Sequence, residues 1–136
     1  EVVRVAVVLR EIKLEVNGEQ AFIQGIPVML EELLVNLLDN AIKYNVEKGR
    51  VYLRILKKED KVILEVADTG IGIPEEHQER IFERFYRVDK SHSKNTGGTG
   101  LGLSIVKHIA AYHKAGLKLE SKAGKGTTIR IEFQAD

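Results

Sequence analysis

"RVYLRILKKEDKVILEVA", residues 50–67, alternates apolar with polar residues on both sides of a charged break. Val51, Leu53 and Ile55 fall on one side of the first run, and Val62, Leu64 and Val66 on one side of the second. Period-two alternation marks a strand with one buried face, and the short link "KKED" joins the two runs as a hairpin. A sheet of such strands has one dry face and one wet face, so helices must cover a single side. The expected fold class is therefore α/β, a two-layer sandwich with a mixed, mainly antiparallel sheet. A doubly wound nucleotide fold would need near-continuous apolar strands, and these are interrupted at every second residue.

Working outward, "LKLES" and "TTIRIEF" form a second hairpin across "KAGKG", residues 122–126. Helical spacing predicts a helix over Val28 to Tyr44, with Pro27 in its first turn, and another over Leu101 to His113. "PEEHQERIFERF" reads as a short charged helix, and residues 1 to about 9 as the tail of a truncated helix. "EIKLEV" and "QAFIQG" flank "NGE", a hairpin signal with Asn17-Gly18 at the turn. A chain of 136 residues with 43% hydrophobic content is one domain with a real core. Its 21 basic and 20 acidic residues give a formal charge of +1, which supports neither a nucleic-acid nor a membrane-surface role. Absence of cysteine excludes disulfides, thiol chemistry and Cys-bearing zinc sites. The longest apolar run, "VAVVL", is far short of the roughly 20 residues of a membrane span. The opening without Met, in mid-pattern, reads as a domain excised from something longer.

Three stretches carry chemistry. On the helix Val28 to Tyr44, Leu33, Leu34, Leu37, Leu38, Ala41 and Ile42 form an apolar arc, opposed by Glu32, Asn36, Asn40 and Lys43. Such a stripe reads as a solvated face or as a site. Asn is a poor helix former, and two of them one turn apart, followed by Lys, would suit Mg²⁺ and a polyphosphate. Second, "VADTGIGIP" sets Asp68 at a strand end, with Gly70 and Gly72 around Ile71 and Ile73. A turn alone would explain Asp and one Gly. Two glycines let backbone approach a flat ligand, the isoleucines give apolar walls, and a carboxylate can accept from the amino group of adenine. Third, "NTGGTGLGLSIVKHI", residues 95–109, places glycines at the start of a helix. It lacks the Lys-Ser/Thr of a P-loop, and a polar loop rather than a strand precedes it. Gly98, Gly100 and Gly102 there could offer backbone N–H groups to phosphate oxygens.

In this order the motifs resemble the ATP-binding catalytic domain of sensor histidine kinases, in the superfamily that includes DNA gyrase, the Hsp90 chaperones and the MutL repair ATPases. "NLLDNAIKY" resembles the N box, "DTGIGIP" the first glycine box, "FERFYR" the F box and "GGTGLGLSIVKHI" the second glycine box. The resemblance covers nearly the whole chain. It implies a Bergerat-type sandwich with about three helices on one face of the sheet, and ATP and Mg²⁺ as cofactors. It implies that Asn40 ligates the metal, with Asn36 and Lys43 near the phosphates and Tyr44 near the nucleotide. Asp68 would bind the adenine amino group, joined through water by Thr127 or Thr128, with Gly70, Gly72 and Ile73 lining the pocket. Phe82 and Phe85 would anchor a lid over Asp89 to Gly98, with Tyr86 and Arg87 reaching nucleotide and phosphates. Gly98, Thr99, Gly100, Leu101, Gly102 and Leu103 would close the lid. Asn40, Lys43 and Arg87 are the groups expected to carry catalysis.

The implied function is transfer of the γ-phosphoryl group to a histidine on a separate dimerisation and phosphoacceptor domain, in two-component signalling. Partners would be that domain of the parent protein, which forms the homodimer, and a response regulator. No nucleic acid is expected, nor contact of this domain with a membrane. The location is cytoplasmic, with a parent that can be membrane-anchored. No histidine here has the acceptor's context of a following acid and a nearby Pro: Gln78 follows His77, Ser93 follows His92, Ile109 follows His108 and Lys114 follows His113. All four read as surface or packing residues. Two rivals stand beside this reading. An ATP hydrolase of the gyrase and chaperone branch would carry Glu where this chain has Asn36. A nucleotide-sensing interaction module would bind without catalysis. The chain departs from the family pattern in Gly25-Ile26-Pro27, where an acid is usual, and in "HKAG" for His-Gly-Gly, both of which bear on helix packing.

Overall fold

The structure is a computed structural model that describes residues 2–7, 12–88 and 101–135. Six strands, β1 (Val2–Val7), β2 (Ile12–Gly18), β3 (Arg50–Lys58), β4 (Lys61–Asp68), β5 (Gly116–Lys122) and β6 (Gly126–Gln134), form one sheet in the order β1-β2-β3-β4-β6-β5. Only β2 and β3 run parallel; the other neighbours are antiparallel, so the sheet is mixed and mainly antiparallel. Two helices, α1 (Pro27–Lys43) and α2 (Gly102–Tyr112), cover one face. With a 3-10 turn at Glu75–His77 they complete the expected sandwich.

The alternation does what the sequence demands. Val51, Leu53, Val62, Val66, Ile129, Ile131 and Phe133 are buried on the helix side, against Leu33, Leu37 and Ala41 of α1 and Val106, Ile109 and Ala110 of α2. The hairpin register sets Leu53 opposite Val66 and Ile55 opposite Leu64, so matching positions share a face. On the open face, Glu65 is 5% exposed, held between Arg54 at 3.2 Å and Arg130 at 2.7 Å.

Three expectations are corrected. The opening residues form a strand, with Val2 opposite Asn17 and Val7 opposite Ile12, and not a helix tail. Four valines in six residues favour an extended chain, because branched side chains pack well on a pleat. Asn17-Gly18 makes no hairpin turn: β2 runs straight through it, with Gly18 beside Ile55 of β3, and residues 19–26 form no strand. The long-range parallel pairing to β3 outweighs the local turn signal. Finally, "PEEHQERIFERF" is a 3-10 turn followed by further turns, with successive bonds such as Arg80 N–H to His77 O and Glu83 N–H to Arg80 O. Ile81 is the buried apolar residue of that segment, too little to hold an amphipathic helix down.

The unusual α1 entry is also explained. Ile26 caps the helix without a side-chain bond, and its own N–H donates to His113 Nε2 at 3.1 Å. The other ring nitrogen of His113 donates to Ile109 O at 2.8 Å, so this histidine ties the end of α2 to the start of α1. It is a packing residue, as its sequence context implied.

Candidate nucleotide-binding site

On α1 the burial pattern separates three sets of residues. Leu33, Leu37 and Ala41 are buried, while Glu31, Glu32, Val35 and Asp39 are open to solvent. Asn36, Asn40 and Lys43 belong to neither set, for all three are half-buried. An ordinary wet stripe would be as open as Val35 and Asp39. Asn36 donates its amide N–H to Glu32 O, one turn back, at 2.9 Å. Its Oδ1 faces α2, where a Cβ at Gly102 would meet it at 3.3 Å. Lys43 is held to Asp39 at 3.0 Å. Asn40, between them, has no side-chain hydrogen bond among the described residues. Among those residues no cluster of three His, Asp or Glu could hold a metal ion. Mg²⁺ commonly takes one or two protein oxygens plus phosphates and water, and the neutral amide oxygen of Asn40 fits that role.

The second part of the site is the end of β4. Asp68 Oδ1 accepts two backbone N–H groups, from Gly70 at 2.8 Å and from Thr127 at 3.2 Å. Those bonds fix the plane of the carboxylate, and Oδ2 has no partner among the described residues. Burial pushes the Asp68 carboxyl up from the ordinary aspartate range, against the opposing pull of the two backbone donors. Register decides between the two threonines. Thr127 pairs with Asp68 and shares its face, whereas Thr128 pairs with Ala67 and projects to the open side.

Gly70 and Gly72 serve a purpose the sequence reading did not give them. A Cβ at Gly70 would lie 2.3 Å from Tyr44 O, and one at Gly72 (φ +71°) would lie 2.0 Å from Lys122 O. Both glycines let the turn pass close to protein backbone, pinning it between the end of α1 and the β5–β6 hairpin. Ile71 N–H donates to Tyr44 O at 3.0 Å, which couples the turn to the helix that carries Asn40.

The third part is the start of α2. Leu101, Gly102 and Leu103 are half-buried there, and Ile105 N–H donates to Leu101 O at 3.0 Å. The first N–H groups of a helix have no partner within it and favour anions. Gly102 thus brings an anion-favouring helix start against the Asn36 stripe. Gly98, Thr99, Gly100 and the expected lid, Asp89 to Gly98, lie outside the described residues. Of the F-box residues, Phe82 is half-buried, and Phe85 is 63% exposed with φ of +64°. Tyr86 is brought to His77, whose Nδ1 meets its hydroxyl, and Arg80 stacks over its ring at 4.5 Å. Arg87 is half-buried.

The sequence model of histidine kinase-, DNA gyrase B- and HSP90-like ATPases matches residues 25–136. The chain belongs to this ATPase family. Its relatives include the signal transduction histidine-protein kinase ArlS of Staphylococcus aureus, 47% identical over 107 residues. That alignment covers 79% of this chain and 24% of ArlS, so the chain spans about a quarter of the curated relatives it matches. Among solved structures, a mycobacterial sensor histidine kinase, MprB, superposes with a TM-score of 0.79 at 31% identity, over 91% of this chain and 82% of that one. The catalytic domain of histidine kinase ThkA gives 0.73 at 27% identity, over 88% of this chain and 76% of that one. Full-length ShkA in complex with AMPPNP also gives 0.73, at 28% identity, over 90% of this chain and 26% of that one. The type is that of a histidine-kinase ATPase domain.

Four residues of this ATPase domain matter to the site and carried no signal in the sequence. Asn45 is buried; its amide donates to Arg50 O at 3.0 Å and its Oδ1 accepts from Val46 N–H at 2.8 Å. Thr69 joins it, with Oγ1 3.3 Å from Asn45 Oδ1 and 2.8 Å from Arg50 N. Gln78 donates from Nε2 to Ile73 O and to Ser121 O, each at 2.9 Å. Ser121 Oγ accepts from Ile73 N–H at 2.8 Å and lies 2.8 Å from Thr127 Oγ1. Asn, Thr, Gln and Ser are common loop residues, and only the fold shows which backbone groups they meet.

Proposed function

We propose that this domain binds Mg²⁺-ATP and delivers the γ-phosphoryl group to a histidine on a separate domain of its parent protein. The carrying observation is the Asp68 carboxylate, oriented by two backbone donors with Oδ2 unengaged, on a turn pinned to the helix that bears Asn40. In this reading Asp68 accepts from the adenine amino group, with Thr127 beside it and Gly70, Gly72 and Ile73 around the base. Tyr44 lies along the nucleotide. Asn36, Lys43 and the N–H groups of Gly98, Thr99, Gly100, Leu101, Gly102 and Leu103 take phosphate oxygens, and Tyr86 and Arg87 close from the F box. Mg²⁺, held by Asn40, would supply charge neutralisation across the phosphates. Phosphoryl transfer asks for positioning and charge neutralisation more than for covalent help. The acceptor imidazole forms the N–P bond as the bond from phosphorus to the bridging oxygen breaks, and ADP leaves with that electron pair. Lys43 and Arg87 balance the charge; the base that takes the imidazole proton stands beside the acceptor. A response regulator would receive the phosphoryl group next.

Hydrolysis is the weaker reading, because position 36 holds an amide whose N–H is bound to Glu32 O and which cannot take a proton from water. Incubation of this chain with γ-labelled ATP and the parent's dimerisation domain should place acid-labile phosphate on that domain and none on this chain. Brisk ATP hydrolysis by the chain alone, or label on His77, His92, His108 or His113, would overturn the proposal.

A further inference from the structure

Asp68, Thr127 and Ser121 form one cross-strand row over β4, β6 and β5, because Asp68 pairs with Thr127 and Thr127 with Ser121. Alternation puts all three side chains on the helix-covered face. Each of the two hydroxyls has one proton to place. Thr127 is 8% exposed, and its Oγ1 has one side-chain hydrogen bond among the described residues, to Ser121 Oγ at 2.8 Å. Ser121 Oγ has a second acceptor in reach, Gly126 O at 3.0 Å, and takes the N–H of Ile73 at 2.8 Å. One arrangement satisfies both protons. Ser121 donates to Gly126 O, and Thr127 donates to Ser121. If Ser121 donated to Thr127 instead, Gly126 O would lose the Ser121 donor at 3.0 Å, which is costly inside a protein.

We infer that Ser121 sets base specificity by holding the Thr127 proton away from the ligand. Thr127 Oγ1 then shows only lone pairs to the base pocket, beside the acceptor-only carboxylate of Asp68. Two acceptors suit the amino group of adenine, which carries two N–H donors. They repel the carbonyl oxygen that guanine and hypoxanthine carry in its place. Ser121 is a positioning residue, acting through Thr127, and the inference rests on the assignment of Asp68 to adenine. Gln78, clamped to Ser121 O and Ile73 O, holds the row in register with the glycine turn.

The measurement is the ratio of dissociation constants for Mg-ITP and Mg-ATP by calorimetry on the 136-residue chain. Ser121→Ala frees the Thr127 hydroxyl to donate, so the ratio should fall about fivefold or more, with ITP binding more tightly. Ser121→Thr keeps the hydroxyl and should keep the ratio. Thr127→Val leaves the other bonds of Ser121 in place. It should weaken ATP about threefold or more and tighten ITP, since the oxygen it removes is one that repels the carbonyl. The double variant should match Thr127→Val, because Ser121 acts through that oxygen. An unchanged ratio in Ser121→Ala, or equal loss of both nucleotides in Thr127→Val, overturns the inference while leaving Asp68 as the adenine ligand. Equal ATP binding by wild type and Asp68→Asn overturns both. If Ser121→Ala fails to fold, Thr127→Val alone decides.

Discussion

As the proposed adenine ligand, Asp68 faces two opposed demands. To accept from an amino group it must be ionised, yet burial at the end of β4 raises its pKa, by desolvation first, with the Gly70 and Thr127 N–H groups pulling the other way. Between the ordinary aspartate pKa and the raised one, the folded chain binds more protons than the unfolded chain. Stability from this group is therefore greatest at low pH and falls as pH rises through that window. Nucleotide binding has the opposite sign, since affinity is lost as pH falls through the raised value. A carboxyl-carbon NMR titration should put the Asp68 midpoint above the ordinary aspartate range; a midpoint at or below it would contradict the desolvation account. Asp68→Asn should lower ATP affinity about tenfold to a hundredfold, the loss of a charge-assisted hydrogen bond. The same change should not lower the melting temperature, because it removes a partly desolvated charge and keeps an oxygen for the two backbone donors. Equal ATP affinity in the mutant would remove Asp68 from the site.

At the scale of elements, what was legible followed from how local the deciding contact is. The β3–β4 and β5–β6 hairpins pair residues close in sequence, so alternation and a polar link were enough. α1 and α2 announced themselves by apolar spacing. β2 was legible as the run "EIKLEV" but its pairing was not, because its partner β3 lies more than thirty residues on and overrides the Asn17-Gly18 turn signal. The site divides likewise. Asn36, Asn40 and Asp68 stand out as unusual choices at their positions, and Thr127 parted from Thr128 only through the register of β6. Ser121, Gln78 and Asn45 act through backbone groups that no spacing reveals. The "HKAG" departure also becomes concrete. Lys114 ends α2 in the left-handed region at φ +55°, with its N–H on Ala111 O at 3.0 Å and the Ala115 N–H on Ala110 O at 2.8 Å. Glycine is favoured at such a helix end. Lys114→Gly should stabilise the fold by about 1 kcal/mol and raise the melting temperature about 3–5 °C. ATP affinity should be unchanged. A lower melting temperature would mean that the Lys114 side chain contributes more than its backbone strain costs.

Across the whole molecule, the two faces of the sheet do different work. The open face is closed by charge pairs: Glu65 with Arg54 and Arg130, Arg130 with Glu120 at 2.7 Å, and Glu132 with Lys118 at 2.8 Å and Lys61 at 3.6 Å. Hydrogen bonds donated to Glu120 and then to Glu65 hold the Arg130 guanidinium above its ordinary pKa. Each of these four bases is paired with a carboxylate. On the helix side, the Asp68 turn, the Asn36–Asn40–Lys43 stripe and the start of α2 belong to three elements that meet through Tyr44 O and Gly102. Among the described residues no helix is long and apolar enough to cross a membrane. The proposed Mg²⁺-nucleotide would span those three elements. Backbone amide NMR during titration with Mg²⁺ and a non-hydrolysable ATP analogue tests it directly. Saturable shifts should appear together at residues 36–44, 68–73, 101–103 and 127, with a common dissociation constant, and Arg54, Glu65 and Arg130 should stay still. Shifts confined to the open face, or no saturation at millimolar nucleotide, would mean that no nucleotide binds across these three elements.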